Sequence, residues 1–336
     1  MKPTIAIVDS TLRDGSHALR HQLSAEAITA YCKGAEAAGL PLVVVGHGNG
    51  LGASSLQLGK AKLSDRDMIT AARAALRTTK LGAFLIPGYG TIRDDLEPAL
   101  DLGLEALMIA AHCTEANVTR QHIEYAVKRG LTTYGVLMMC HRLSPQELLV
   151  QARLMQGYGA EAVIIMDSAG SMLPPEAAAR TRALAEDLSI KVGFHAHNNL
   201  GMAIANSIAA VEAGATIIDG TTRGLGAGAG NCQLEVAIAV LQKMGYTIDA
   251  DLYRLMDLSE EVVAKMMTRP QEIGSVELTS GLAGVFSGFA PHVRKAAQQF
   301  GVDARDIFME LGRQNIVAGQ EDMIIDIAAE LAKKSR

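Results

Sequence analysis

The chain contains no tryptophan, and only 7 tyrosines and 6 phenylalanines among 336 residues. So few aromatics exclude a stacking platform for single-stranded nucleic acid. There is no Lys/Arg stripe, and the formal net charge is −5, which argues against any nucleic-acid partner. Cysteine is scarce and scattered. Cys32, Cys113, Cys140 and Cys232 form no CxxC pair and read as reduced core thiols of a cytoplasmic protein. No apolar run reaches membrane-spanning length, and the apolar start at Met1–Ser10 is too short for a signal peptide, so no membrane association is expected.

Hydrophobic residues make up 49% of the chain and charged residues 20%, enough for a large core and against disorder. Short apolar runs alternate with stretches of helical period. The runs are Ile5–Val8, Leu42–Val45, Leu81–Ile86, Ala106–Ala110, Thr133–Met138, Ala162–Met166, Lys191–Phe194 and Thr216–Ile218. They are rich in Val, Ile and Leu with little polar alternation, as parallel strands buried on both faces require. The stretches between them carry helix punctuation. Ser24, Ser64 and Ser144 are candidate N-caps, the last followed by Pro145 and Glu147. Gly39, Gly103, Gly130, Gly159 and Gly214 each stand where a helix must end before the next strand.

Repeated βα units of this kind predict an α/β fold, a (β/α)8 TIM barrel spanning residues 1–245. A doubly wound open sheet is the alternative, disfavoured because no GxGxxG follows the first strand. Residues 246–336 contain no convincing strand and predict a small C-terminal helical domain. Its candidate helices are Leu252–Met267, Ala290–Phe300, Ala304–Leu311 and Asp322–Lys333.

In a barrel of this type the chemistry sits at the C-terminal ends of the strands. The polar residues collect there: Asp9 to His17 after the first strand, His47, His112, His141, Asp167-Ser168, His195-Ala196-His197 and Asp219. Residues i and i+2 of a strand share a face, so His195 and His197 can reach one metal ion. Asp14 is placed to add an oxygen ligand from the neighbouring first loop. Such a mixed set suits Mn²⁺, Mg²⁺, Co²⁺ or Zn²⁺ and leaves positions open for substrate. Arg13 can hold a carboxylate or stabilise an enolate oxygen, and His17 can move a hydroxyl proton. The glycine-rich segment from Gly224 to Asn231 reads as a tight turn, or as a loop whose amides approach substrate.

Together, the run from Asp9 to His17 and on to Gln22, His195-Ala196-His197, the Gly-Ala-Gly-Asn segment ending at Asn231, and Gly319 to Met323 resemble the 4-hydroxy-2-oxovalerate aldolases of the DRE-TIM metallolyase superfamily. The resemblance covers nearly the whole chain. It implies a class II aldolase that cleaves 4-hydroxy-2-oxopentanoate-type acids to pyruvate and acetaldehyde through a metal-bound pyruvate enolate, as in the catabolism of aromatic hydrocarbons. On that resemblance Asp14, His195 and His197 bind Mn²⁺, His17 is the general base, Arg13 stabilises the enolate, and Ser168 and Phe286 contact substrate. It also implies an oligomer, and an acylating acetaldehyde dehydrogenase partner bound through the C-terminal helices. The chain departs from the family in having Phe286 for a usual Tyr, Asn198 for a frequent further His, and Ala318 for one of a Gly pair. The alternative readings are a Claisen-type acyl-CoA condensing enzyme and a biosynthetic aldol synthase with another acceptor.

Overall fold

The computed structural model describes residues 2–317 and 319–334. Eight strands form a closed, all-parallel barrel in sequence order: β1 (Ala6–Asp9), β2 (Leu42–Val44), β3 (Lys80–Leu85), β4 (Ala106–His112), β5 (Thr132–Met138), β6 (Ala162–Asp167), β7 (Lys191–Ala196) and β8 (Ile217–Gly220). Closure comes from β8 pairing with β1, with Val8 opposite Asp219 and Asp9 opposite Gly220. Each apolar run of the sequence became one of these strands, with ends shifted by one or two residues.

The outer ring follows the same rhythm: α1 (Ala25–Ala37), α2 (Asp65–Arg73), α3 (Glu97–Asp101), α4 (Arg120–Lys128), α5 (Pro145–Gly157), α6 (Pro174–Ala185), α7 (Ala203–Glu212) and α8 (Leu234–Lys243). The Ser24 hydroxyl accepts from the Ala27 amide, and Ser64 and Ser144 close full capping boxes with Asp67 and Glu147. Gly39, Gly103, Gly130, Gly159 and Gly214 all take positive φ, the conformation that stops each helix.

Strand periodicity sorts the core into two layers. Val8, Leu42, Val44, Phe84, Met108, Ala110, Val136, Ile164 and Met166 fill the barrel interior. Their neighbours Ile7, Val43, Leu81, Leu107, Ile109, Ile165, Phe194 and Ile218 face outward against the helices. The same parity decides which polar strand ends look into the barrel mouth. All four cysteines are free and buried.

Beyond the barrel, α9 (Leu252–Leu258) runs on through Ser259–Val263 and sends Leu255, Leu258 and Val263 into the barrel's outer core layer. A separate core follows, built by α10 (Ser275–Leu282), α11 (Ala290–Phe300), α12 (Ala304–Arg313) and α13 (Asp322–Lys334) around Val285, Phe289, Val293, Phe308, Leu311 and Ile327. Burying each such side chain contributes about 1.5–3 kcal/mol. The helix α10 was not expected from the sequence. Among the described residues, no helix is long and apolar enough to cross a membrane. Ala318 lies outside the described residues.

Candidate metal centre and active site

On β7 the outward residues are Val192, Phe194 and Ala196, so His195 and, one residue past the strand, His197 point inward. Their rings lie edge to face, 5.2 Å apart. Asp14 comes from the turn after β1, where the Arg13 and Asp14 amides both donate to the Ser10 carbonyl. One ligand atom from each of Asp14, His195 and His197 lies within 4.8 Å of the others, and all three residues are at most 3% exposed. The carboxylate of Asp14 is 3.9 Å from His197 Nε2.

The donor set fits a divalent cation on independent grounds. His195 Nε2, one of the nitrogens of the trio, is buried without a hydrogen-bond partner. An orphaned polar atom is costly in a protein interior, and a cation held by the trio would satisfy it. The other nitrogen of His195, Nδ1, lies 2.9 Å from Asp219 Oδ2, bent from the line a hydrogen bond prefers. Asp219 is held in turn by Ser10 Oγ, which donates to Oδ1 at 2.7 Å. A carboxylate behind a histidine in this way turns the opposite nitrogen toward a metal.

Asp14 is held from two sides. Its Oδ1 accepts from Asn231 Nδ2 at 2.8 Å and from the Ala227 amide at 3.2 Å, and its Oδ2 accepts from Arg13 Nη1 at 2.8 Å. Burial alone would push this carboxyl up, yet the Arg13 guanidinium, 2.8 Å from its Oδ2, holds it well below the usual carboxylate range. Burial lowers His197 to about 4, against the pull of Asp14, so it is neutral at pH 7 and can ligate. The Arg13 guanidinium also lies over the Phe84 ring, 4.3 Å from its centroid.

Above the trio is a cavity of about 860 Å³ between the barrel mouth and the C-terminal helices. His17, Gly226 and Ala227 form part of its floor, and Phe286 stands in its wall. The trio lies beneath that floor, linked to it by the Ala227 amide that bonds Asp14. The glycine-rich loop is therefore a cover on the carboxylate. A Cβ on Gly226 would meet Asn231 Nδ2 at 2.0 Å and Asp14 Oδ1 at 2.7 Å. His17 is half-buried, and burial lowers its proton affinity against the pull of Asp14.

Arg13, Asp14, His17, His195 and His197 thus come together. Ser168 is fully buried, its hydroxyl accepting from the Met139 amide at 3.0 Å while its carbonyl accepts from Ser287 Oγ at 2.9 Å. Phe286 packs edge-on against Phe289, 5.7 Å away. Asn198 is taken up locally, its Oδ1 accepting from the Ala203 amide at the start of α7. Sequence reasoning assigned no role to Asp219 or Asn231. The inward parity of Asp219 on β8, read against outward Ile218, is the signal that would have found the first.

A closed (β/α)8 barrel whose mouth holds a buried Asp–His–His trio under an arginine and a histidine defines a barrel enzyme class with a candidate metal centre. Residues 4–262 match the HMGL-like family, and residues 271–333 match the DmpG-like communication domain. The 4-hydroxy-2-oxovalerate aldolase of Spirochaeta aurantia is 53% identical over 335 residues, with 100% of this chain and 98% of that one covered. That of Carboxydothermus hydrogenoformans is 50% identical, with 100% of both covered. The chain belongs to the 4-hydroxy-2-oxovalerate aldolase family. The barrel likeness reaches further. The carboxyl transferase domain of Rhizobium etli pyruvate carboxylase superposes with a TM-score of 0.80 at 15% identity, covering 99% of this chain and 61% of that one. The HMG-CoA lyase of Brucella melitensis does so at 0.66 and 17%, covering 80% of this chain and 100% of that one. These two show the fold alone.

Proposed function

We propose that the barrel mouth cleaves 4-hydroxy-2-oxopentanoate-type acids to pyruvate and an aldehyde. Family membership makes the chain a carbon–carbon lyase. The observation that carries the mechanism is the convergence of Asp14, His195 and His197 within 4.8 Å, with Arg13 2.8 Å from the Asp14 carboxylate.

In this reading Asp14, His195 and His197 hold a divalent cation, Mn²⁺ first and Mg²⁺, Co²⁺ or Zn²⁺ as substitutes. Bound there, the cation supplies Lewis-acid stabilisation for charge developing on the 2-oxo oxygen. His17 takes the proton from the C4 hydroxyl. Its lowered proton affinity keeps the ring neutral at pH 7, the form a base needs. The C3–C4 bond then breaks, the aldehyde leaves, and its electron pair forms the pyruvate enolate. Arg13 balances the negative charge of that enolate. Ser168 and Phe286 contact the carboxylate and aldehyde ends. The enolate carbon finally takes up a proton to give pyruvate.

The communication-domain match supports a protein partner, and we propose an acylating acetaldehyde dehydrogenase docking on the C-terminal helices, in an oligomeric assembly. Four buried, unpaired cysteines support a cytoplasmic location. Packing also supports a working division of the chain between Val263 and Val276 rather than at 245/246, because α9 and its extension share the barrel's core.

The test is pyruvate release from racemic 4-hydroxy-2-oxopentanoate, coupled to lactate dehydrogenase, with EDTA-stripped and Mn²⁺-restored protein. Release that returns with metal supports the proposal. Metal-loaded protein that releases no pyruvate, but frees thiol from acetyl-CoA with a 2-oxo acid, would transfer the site to condensation chemistry.

A further inference from the structure

The loop after β2 reads Gly46-His47-Gly48-Asn49-Gly50, and its three glycines are there for different reasons. Gly46 and Gly50 have φ of 147° and 92°, conformations that L side chains rarely adopt. Gly48 has no such backbone need. What it lacks is room. A Cβ built there would lie 2.3 Å from His17 Nε2, 2.4 Å from Cδ2 and 2.6 Å from Cε1. The face of the His17 ring rests directly on the bare Cα of Gly48. The Gly48 carbonyl accepts from Arg13 Nη1 at 3.4 Å and favours the protonated form of His17.

Gly48 is itself held from behind. Its amide donates to His21 Nδ1 at 3.4 Å, and the next amide, Asn49, donates to His47 Nδ1 at 3.1 Å. The two imidazoles are stacked, with centroids 3.6 Å apart and planes 21° from parallel. A nitrogen that accepts from an amide carries no proton, so each ring is a neutral tautomer protonated on Nε2. His47 Nε2 donates in turn to the Gly59 carbonyl at 3.0 Å. The chain bends hard to bring His21 into place: Arg20 and His21 take φ of 52° and 60°. Left-handed backbone at two successive non-glycine residues costs about 1–3 kcal/mol each and persists only where the surroundings impose it.

We propose that Gly48, braced by the stacked His21–His47 pair, is a positioning residue that sets the place of the His17 ring for bond cleavage. The proposal rests on the reading of His17 as the base that takes the C4 hydroxyl proton. Gly48 touches neither substrate nor metal ligand and acts through His17. The stack adds a rigid wall with no charge beside a group that must gain and lose a proton.

The experiment compares wild type, Gly48→Ala, His17→Ala and the double variant, each loaded with Mn²⁺. Two rates are read: aldol cleavage, and solvent exchange of pyruvate methyl protons, which needs no base at the C4 hydroxyl. In Gly48→Ala, cleavage should fall about 100-fold, the loss expected of a misplacement near 1 Å. Metal content and exchange should stay within about threefold of wild type. The double variant should cleave no more slowly than His17→Ala alone, because residues acting through one group are not additive. Cleavage that is unchanged in Gly48→Ala, or a double variant that loses the product of both effects, overturns the proposal. Should Gly48→Ala fail to retain metal, His47→Phe carries the test, since it keeps the stack and removes the acceptor for the Asn49 amide. It must lower cleavage more than exchange, and an unchanged ratio overturns the proposal. Wild type without metal-dependent cleavage or exchange would defeat the functional reading instead, so the two failures are told apart.

Discussion

From β7 to the turn after β1, Asp14, His195, His197 and Asp219 gather at the barrel mouth, and atoms of His195, His197 and Asp219 lack protein hydrogen-bond partners. From β4 to β6 an equally polar set is mostly taken up in holding loops, with His112 Nε2 and His141 Nδ1 left unpartnered. His141 Nε2 donates to the Gly284 carbonyl, and Asp167 accepts from the Ser171 and Met172 amides. Arg180 donates to the carbonyls of Cys140, His141 and Leu143, and Arg142 reaches Asn315 in the turn after α12. Both sets occupy the same end of one barrel. The first half is a candidate site because Asp14, His195 and His197 converge within 4.8 Å of one another. The second half fixes the loops and seats the C-terminal domain. Polarity at a strand end is therefore a poor guide until the groups are shown to converge on one point.

The comparison breaks most sharply at Asp14 and His195. Asp14→Asn or His195→Ala should abolish metal retention and lower pyruvate release by on the order of 1,000-fold, roughly the scale lost when preorganised charge stabilisation is removed. Elemental analysis beside the coupled assay checks this, and an active, Mn²⁺-loaded variant would remove that residue from the ligand set. Asp219→Asn should be milder. Losing the carboxylate behind His195 should weaken metal affinity about 10–100-fold, read as the Mn²⁺ concentration for half-maximal activity.

Across the mouth, Asp167→Asn should leave metal and activity intact and act on stability. One of the two loop amides loses its acceptor, at about 1–3 kcal/mol. Burial raises Asp167 to about 6 in the folded state, against offsetting bonds from the Met172 and Ser171 amides, while the unfolded value is near 3.9. The folded chain therefore holds a proton that the unfolded chain releases between about pH 4 and 6, and wild type loses stability as pH rises through that window. The variant should lose that slope. On the site half the sign reverses. Burial lowers His47 to about 4, assisted by His17, so its contribution is present above about pH 6.5 and fades as pH falls toward 4. Denaturant melts at pH 4, 5, 6 and 7 would separate the two, and parallel curves for wild type and Asp167→Asn would end the contrast. The smallest effect belongs to Phe286→Tyr. Adding a hydroxyl in the cavity wall should shift the preference between C4 enantiomers of substrate by only about 1 kcal/mol, the scale of one hydrogen bond, measurable as a ratio of kcat/KM values.

Much of this was legible in the sequence. Strands buried on both faces write themselves as apolar runs, and serine caps and glycine stops mark the helices between them. The convergence of Asp14, His195 and His197 was legible because residues i and i+2 of a strand share a face. Helix α10 was not, since Ser275–Leu282 carries Gly281 and a buried Glu277 whose charge is answered by Arg294, 2.6 Å away and 17 residues on. Nor was the His21–His47 stack, because two imidazoles 26 residues apart meet only once β2 lies beside β1. Asp9 shows a third case. It closes β1 yet has the parity of Ile7, so it points outward and accepts from Tyr31 on α1 at 2.6 Å. Parity was available in the sequence and would have set it apart from the site.

The four cysteines have a practical consequence. Burial pushes the thiols of Cys32, Cys113 and Cys232 up to about 12 and raises Cys140 as well. Thiolate is the reactive form, so the folded chain should be silent toward maleimides and iodoacetamide. Alkylation becomes a clock for opening of the barrel, since each thiol is captured only when its surroundings come apart. A single cysteine introduced at exposed Leu282 would then be the one position to accept a fluorophore, with no native residue to remove first.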